Sequence, residues 1–118
     1  MPKTKTKARS IGILGLSRYN CQQMDALGSN IGLARKKRKI RQEDMASRAA
    51  ISVKTYRKIE KGDPGVAIGL YLAVLSIMDL DLPFSDLADP TKDKIGLALE
   101  KRALPERVKL KRNKELDF

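Results

Sequence analysis

From Gln42 to Lys61 the chain reads QEDMASRAAISVKTYRKIEK, and its apolar residues fall at helical spacing in two separate groups. Met45, Ala46 and Ala49 share one side of a helix from about Gln42 to Ala49. Tyr56 and Ile59 share one side of a second, which Ser52 opens with a side-chain oxygen for its free amides and which runs to about Lys61. Gly62 supplies a left-handed stop, and Pro64 two residues on makes it firm. Only about three residues remain between the two helices. Two short helices joined so tightly form a helix-turn-helix of 20 residues.

The rest of the chain reads as helical too. Strand signals are scarce, with no Asn-Gly turn and only two Phe and three Tyr. Met24, Leu27, Ile31, Ala34 and Arg38 recur every three or four residues and predict a first helix from about Met24 to Lys39. A fourth helix, about Ala67 to Met78, is apolar nearly all round: Leu70, Tyr71, Leu72, Val74, Leu75, Ile77 and Met78. Such a helix has to be covered on more than one side, by the domain core and by another chain or a tail. A short helical turn follows from Pro83 to Ala88, and Asp89-Pro90 starts a further helix through Ile95 and Leu99 that ends at Pro105. Tyr56 and Tyr71 read as core residues, and Cys21 as an incidental thiol.

The expected fold is an all-α helix-turn-helix bundle of about five helices with flexible basic tails at both ends. Residues 1–23 form a basic arm, 24–90 the domain, and 91–118 a basic C-terminal helix and tail. Lys/Thr alternation gives the arm no apolar face to bury. Its one apolar run, Ile11 to Leu16, is either disordered or docks on a partner.

Charge is laid out unevenly. The chain carries 25 Lys+Arg against 14 Asp+Glu, a net +11. Residues 28–61 hold eleven bases and three acids, whereas 62–91 hold five acids and no base. A coat meant only for solubility would not leave thirty residues without a Lys or Arg. A positive field concentrated on one module implies a surface that meets phosphate. The acidic segment from Asp79 to Asp89 is expected as a solvated loop facing away from it.

Absences narrow the chemistry. There is no His and one Cys, so neither an intrachain disulfide, a zinc site nor a His-dependent nucleophile can be assembled. No catalytic, cofactor or metal residues are assigned, and no enzyme is expected. The longest charge-free apolar stretch, Gly65 to Met78, has 14 residues, short of the roughly 20 that span a bilayer. The basic start and its six apolar residues are too short for a signal peptide. A cytoplasmic, bacterial, nucleoid-associated protein is expected.

The faces of the third helix give the chemistry a place. With Tyr56 and Ile59 inward, Val53, Lys54, Arg57, Lys58 and Lys61 lie outward, offering cations for phosphates and base edges and a methyl-bearing side chain for thymine. Ser52 and Thr55 sit at the helix start, where hydroxyls and free amides can bind phosphate. The run Arg35-Lys36-Lys37-Arg38-Lys39, followed by Arg41, reads as a phosphate-facing flank, with Lys39 and Arg41 nearest the motif. Arg35 and Glu60 occupy apolar stripes of adjacent helices, so they are expected as an ion pair bracing the first helix against the third.

Arg35, Gln42-Glu43-Asp44-Met45-Ala46, Ser52 with Thr55, and Ile59-Glu60-Lys61-Gly62 together resemble the Xre/Cro-type helix-turn-helix regulators, over about residues 24–80. The resemblance implies a lambda-repressor-like fold. It also implies that Gln42 binds the DNA backbone or an adjacent base, and that residues 53, 54, 57 and 58 read bases or phosphates. Ala50 departs from the family, which usually carries Gly in the turn. A left-handed Ala costs about 1–2 kcal/mol, so a slight rearrangement of the turn is expected. Gly62-Asp63-Pro64-Gly65-Val66, Gly69, Tyr71, Ala88-Asp89-Pro90 and Leu104-Pro105-Glu106-Arg107 are similar to the HipB-like antitoxins. That narrower likeness implies a dimeric autorepressor that also binds and restrains a HipA-like kinase toxin.

The expected function is sequence-specific double-stranded DNA binding as a dimeric transcriptional repressor on an inverted-repeat operator, with an antitoxin role. The alternatives are a stand-alone phage- or plasmid-type repressor, and a protein-interaction module or coactivator that keeps the fold without specific DNA binding. The outward Lys54, Arg57 and Lys58 favour DNA, because an interaction module has no need of a cationic face there.

Overall fold

A computed structural model describes residues 15–103 of the protein. Among them the chain forms α1 (Arg18–Lys37), α2 (Gln42–Arg48), α3 (Val53–Glu60) and α4 (Ile68–Ile77). Two 3-10 turns follow, Phe84–Ala88 and Pro90–Lys92, and then a last helix, α5, over residues 94–103. No strand occurs among the described residues, and the fold is an all-helical bundle of the lambda-repressor-like kind. No described helix is long and apolar enough to cross a membrane. The chain divides into two units, Met1–Asp81 and Leu82–Phe118.

In the first unit, α3 packs against α1 and α2, and α4 packs against α2. The buried side chains are Ile31 of α1, Met45 and Ala46 of α2, Tyr56 and Ile59 of α3, and Tyr71, Val74 and Met78 at α4. Each element alone buries only one to three of these side chains, and full burial of a large one contributes about 1.5–3 kcal/mol. The helices are therefore stable only as a set. Tyr71 also donates its hydroxyl proton to the Asp63 carbonyl at 2.7 Å, fastening the loop after α3 to α4. Burial and the Asp63 charge push the Tyr71 phenol up to about 12. Around α4, Leu70, Leu75 and Ile77 are half-buried against the core, while Ile68 is 59% exposed.

α1 to α4 all stop by the same device. The residue after the cap turns left-handed, at Lys39 (φ 56°), Ala50 (φ 58°), Gly62 (φ 72°) and Asp79 (φ 58°). The following amide then reaches back to the last turn: Ile40 to Arg35 O, Ile51 to Ala46 O, Asp63 to Lys58 O and Leu80 to Leu75 O, at 2.9–3.3 Å. These bonds occupy carbonyls that a helix end otherwise leaves open. The rearranged turn expected at Ala50 is not seen. Ala50 adopts the left-handed geometry itself, held by the Ile51 bond on one side and its own amide on Ser47 O at 3.1 Å on the other.

Two helix starts differ from expectation. α1 begins at Arg18, six residues before Met24, because Ser17 caps it by accepting the Asn20 amide at 3.0 Å. Residues 18–23 are exposed. They need no packing, since adding turns to an already nucleated helix costs little. The expected helix from Asp89-Pro90 is two pieces. Asp89 caps only the short Pro90–Lys92 turn, through the Thr91 amide at 2.9 Å. Asp93 then opens α5 by accepting the Gly96 amide at 2.9 Å. The end expected at Pro105, and the flexible tails, lie outside the described residues over 1–14 and 104–118.

Candidate nucleic-acid interface

α3 owes its orientation to its inner face. Tyr56 and Ile59 are wholly buried, which leaves Lys54, Arg57 and Lys58 exposed on the far side, with Lys61 just beyond the helix. Val53 was expected on that outer face, but it is half-buried and packed against the core. It sits in the first turn of α3, where the helix is closest to the turn before it. Ser52 accepts the Thr55 amide at 3.0 Å and donates its own proton to the Thr55 hydroxyl oxygen at 3.0 Å. Its oxygen is thus spent on the cap, and Ser52 itself is exposed.

A carboxylate anchors the inner side of this arrangement. Arg35 Nε donates to Glu60 Oε2 at 2.6 Å and Arg35 Nη2 to Glu60 Oε1 at 3.3 Å, a two-point pair between α1 and α3. The two side chains are only 10% and 13% exposed. Arg35 Nη1 also donates to the Ile40 carbonyl at 2.9 Å, just beyond the end of α1. Glu60 accepts two further hydrogen bonds, from the Tyr56 hydroxyl and from Gln42 Nε2 at 3.0 Å. Burial alone would raise the Glu60 carboxyl, but the bonds from Arg35, Tyr56 and Gln42 and the Arg35 charge outweigh it and hold it below its ordinary value. The Tyr56 phenol moves the other way, raised by its own burial and by donating to Glu60.

Gln42 links this buried pair to the surface. Its amide nitrogen faces Glu60, and its amide oxygen accepts from Arg57 Nε at 3.2 Å. The start of α2 is thereby joined to both ends of α3's network through one side chain.

Glycines let the backbones approach. A methyl group on Gly28 would meet Gly62 N at 2.5 Å, Glu60 O at 2.6 Å and Ile59 O at 2.8 Å, all backbone atoms. One on Gly62, besides facing a left-handed φ, would meet Met24 O at 2.2 Å. α1 therefore lies directly on the end of α3. One turn after Gly28, a methyl on Gly32 would stand 3.2 Å from Glu60 Oε1, so this glycine leaves room for the carboxylate. Neither Gly28 nor Gly32 was expected at the site. Their spacing of four, on the face that carries Ile31 and Arg35, is the signal that marks them.

The basic run splits by helical phase. Arg35 points inward. Arg38, expected among the phosphate-facing residues, spends its guanidinium on the Ala34 carbonyl at 3.0 Å and the Met78 carbonyl at 3.1 Å, tying the end of α1 to the end of α4. Lys36, Lys37, Lys39 and Arg41 remain exposed, Arg41 with Asp44 at 3.3 Å. Among the described residues no group of Cys, Asp and Glu could hold a metal ion.

Two short helices at this spacing, the second locked inward by Tyr56 and Ile59 and cationic outward, have a counterpart among known families. Residues 31–84 match the helix-turn-helix family model. Over that stretch the chain is similar to helix-turn-helix domains of the Xre/lambda-repressor-like kind. No curated protein and no solved structure gives a significant match to the chain. In the helix-turn-helix domain α2 is the first helix of the motif and α3 the second, the one that enters the major groove in DNA-binding members of this architecture. The match supports a DNA-binding regulator.

Proposed function

We propose that the protein is a sequence-specific transcriptional repressor that binds double-stranded DNA, with α3 in the major groove and no enzymatic activity. The observation that carries the reading is the two-sided character of α3. Its buried side fixes the helix in the bundle, and its other side presents Lys54, Arg57 and Lys58 to solvent. In this reading Lys54, Arg57 and Lys58 contact bases and phosphates, and Val53 reaches a thymine methyl only with the part of its surface left uncovered. Thr55 through its hydroxyl proton, Ser52 through its main-chain amide, and Gln42 bind the backbone at the start of the two helices, and Lys39 and Arg41 flank them. A net charge of +11 adds sequence-independent attraction to the phosphates.

The protein acts as a homodimer on an inverted repeat. The exposed Ile68 and half-buried apolar neighbours on α4 support a second copy there. A two-fold dimer also sets two recognition helices about 34–36 Å apart, one DNA turn. The antitoxin role is the finer part of the reading and rests on the HipB-like motifs. A HipA-like kinase encoded beside this gene, and co-purifying with the protein, tests it.

Footprinting on the DNA upstream of its own gene tests the main reading. The wild type protects a two-fold-symmetric site of about two half-sites one turn apart. The Lys54→Ala/Arg57→Ala double variant, with an unchanged circular dichroism spectrum, loses it. Equal protection by the variant would refute the assignment of the DNA face.

A further inference from the structure

The amide of Gln42 has only one workable orientation. Glu60 is an acceptor without protons to give, and Gln42 lies against its Oε1 at 3.0 Å. Turning the amide over would set oxygen against carboxylate, so the NH2 end must face inward. The oxygen consequently faces out, where Arg57 Nε meets it at 3.2 Å. Because Glu60 is itself fixed by Arg35 and Tyr56, the outward oxygen is a fixed point on the surface.

That fixed point constrains what Arg57 can present. A guanidinium carries one N–H on Nε and two on each Nη. With Nε held by Gln42, the edge that includes Nε is taken, and the outer edge formed by Nη1 and Nη2 remains. No hydrogen bond engages those two nitrogens among the described residues. Two parallel donors on one edge match guanine, whose O6 and N7 are both acceptors in the major groove. Adenine offers N7 beside an amino group that would oppose a donor, cytosine offers an amino group, and thymine a single acceptor.

We propose that Gln42 is a positioning residue that holds Arg57 end-on for one guanine in each half-site. This goes beyond direct contact of Gln42 with DNA, and it rests on the DNA-binding reading above. Specificity at that base pair then depends on a residue of α2 that need not touch the base.

The test is selection of binding sites from a random double-stranded DNA library by the full chain, as wild type, Gln42→Ala, Arg57→Ala and the double variant. The wild type should enrich a motif with one position per half-site where guanine is favoured about tenfold or more. Arg57→Ala should flatten that position alone. Gln42→Ala should lose most of the same preference, and the double variant should be no worse there than Arg57→Ala. If Gln42→Ala keeps the guanine preference, whether or not it also weakens all sequences alike as a lost phosphate contact would, the positioning role is overturned and DNA binding stands. A wild-type motif without guanine has the same consequence. If the wild type enriches no motif, sequence-specific DNA reading and the positioning role fall together. A second measurement needs no variant at position 42. In nitrogen-resolved NMR of the free protein, the Arg57 Nε–H should exchange with water several-fold more slowly than that of the exposed Arg48. Equal rates would overturn the proposal.

Discussion

Arg35→Met isolates the electrostatic part of the α1–α3 contact, because methionine replaces most of the aliphatic stem while removing the guanidinium. The variant leaves Glu60 in place with two of its four donated bonds, those from Tyr56 and Gln42. Breaking a buried pair by removing one partner costs about 3–5 kcal/mol, and the surviving donors place this one near 3 kcal/mol. In a domain of 60–100 residues each kcal/mol moves the midpoint by about 4–8 °C, so thermal unfolding followed by circular dichroism should shift down by about 12–24 °C. Adding Glu60→Gln removes the stranded charge while keeping an acceptor for Tyr56, and should recover about 1–2 kcal/mol. The pH dependence supplies a separate check on sign. Glu60 is held below its ordinary value in the folded protein. It therefore contributes stability that is fully present above the unfolded value of about 4.3 and is lost as pH falls through the folded one. Without Arg35 the carboxyl is left with the desolvation, and its folded value rises. The gap between wild type and Arg35→Met should then narrow as the pH is lowered from 7 to 4. A melting temperature within 2 °C of wild type (about half a kcal/mol), or a double variant no more stable than the single one, would refute the reasoning.

Ala50→Gly should stabilise the domain by about 0.5–1 kcal/mol, the relief of a left-handed Ala less the extra freedom glycine has when unfolded; urea unfolding measures it. Gly28→Ala should cost at least about 3 kcal/mol, since its methyl would overlap three backbone atoms that cannot re-pack; a stable, soluble variant with wild-type melting would show that α1 and α3 stand further apart. Ser52→Ala removes the cap of α3 and should cost about 1 kcal/mol in the same assay, with no change if the Thr55 amide finds water equally well.

How far the sequence reveals this molecule depends on which atoms carry each feature. α3 is legible because both its ends are marked by residue types with strong local preferences, a serine at the cap and a glycine at the stop. The ends of α1 and α4 use the same left-handed stop on Lys39 and Asp79, residues that seldom mark one, so periodicity places those ends, at about Lys39 and Met78, while the device that makes them stays hidden. The start of α1 is hidden for a related reason. Ser17 caps a stretch with no buried face, and periodicity reports burial, not helix. Arg35 and Glu60 are conspicuous as charges on apolar stripes. Arg38 sits one turn from Arg35 in the same basic run, and nothing in its spacing tells that the Met78 carbonyl lies within reach. Val53 fails by a small rotation: at the first turn of a short helix, the boundary between outward and half-covered is narrower than the residue spacing resolves. Gln42 stands out by position, but its double attachment depends on two partners, eighteen and fifteen residues away in sequence, arriving at one place.

Where α1 crosses the end of α3, peptide planes touch with no side chain between them. An interface of leucines absorbs small errors, because each can swing to another rotamer and take up the slack. Bare peptide against bare peptide has no such adjustment, so the angle between these two helices is effectively machined into the chain. A change in α1 can tilt α3 only by tilting the pair together. The first helix, which need not come near a nucleotide, thus sets the attitude of the helix that does. In a library of variants, the substitutions that retarget binding without touching the outer face of α3 should gather along the Met24–Gly28–Gly32 line.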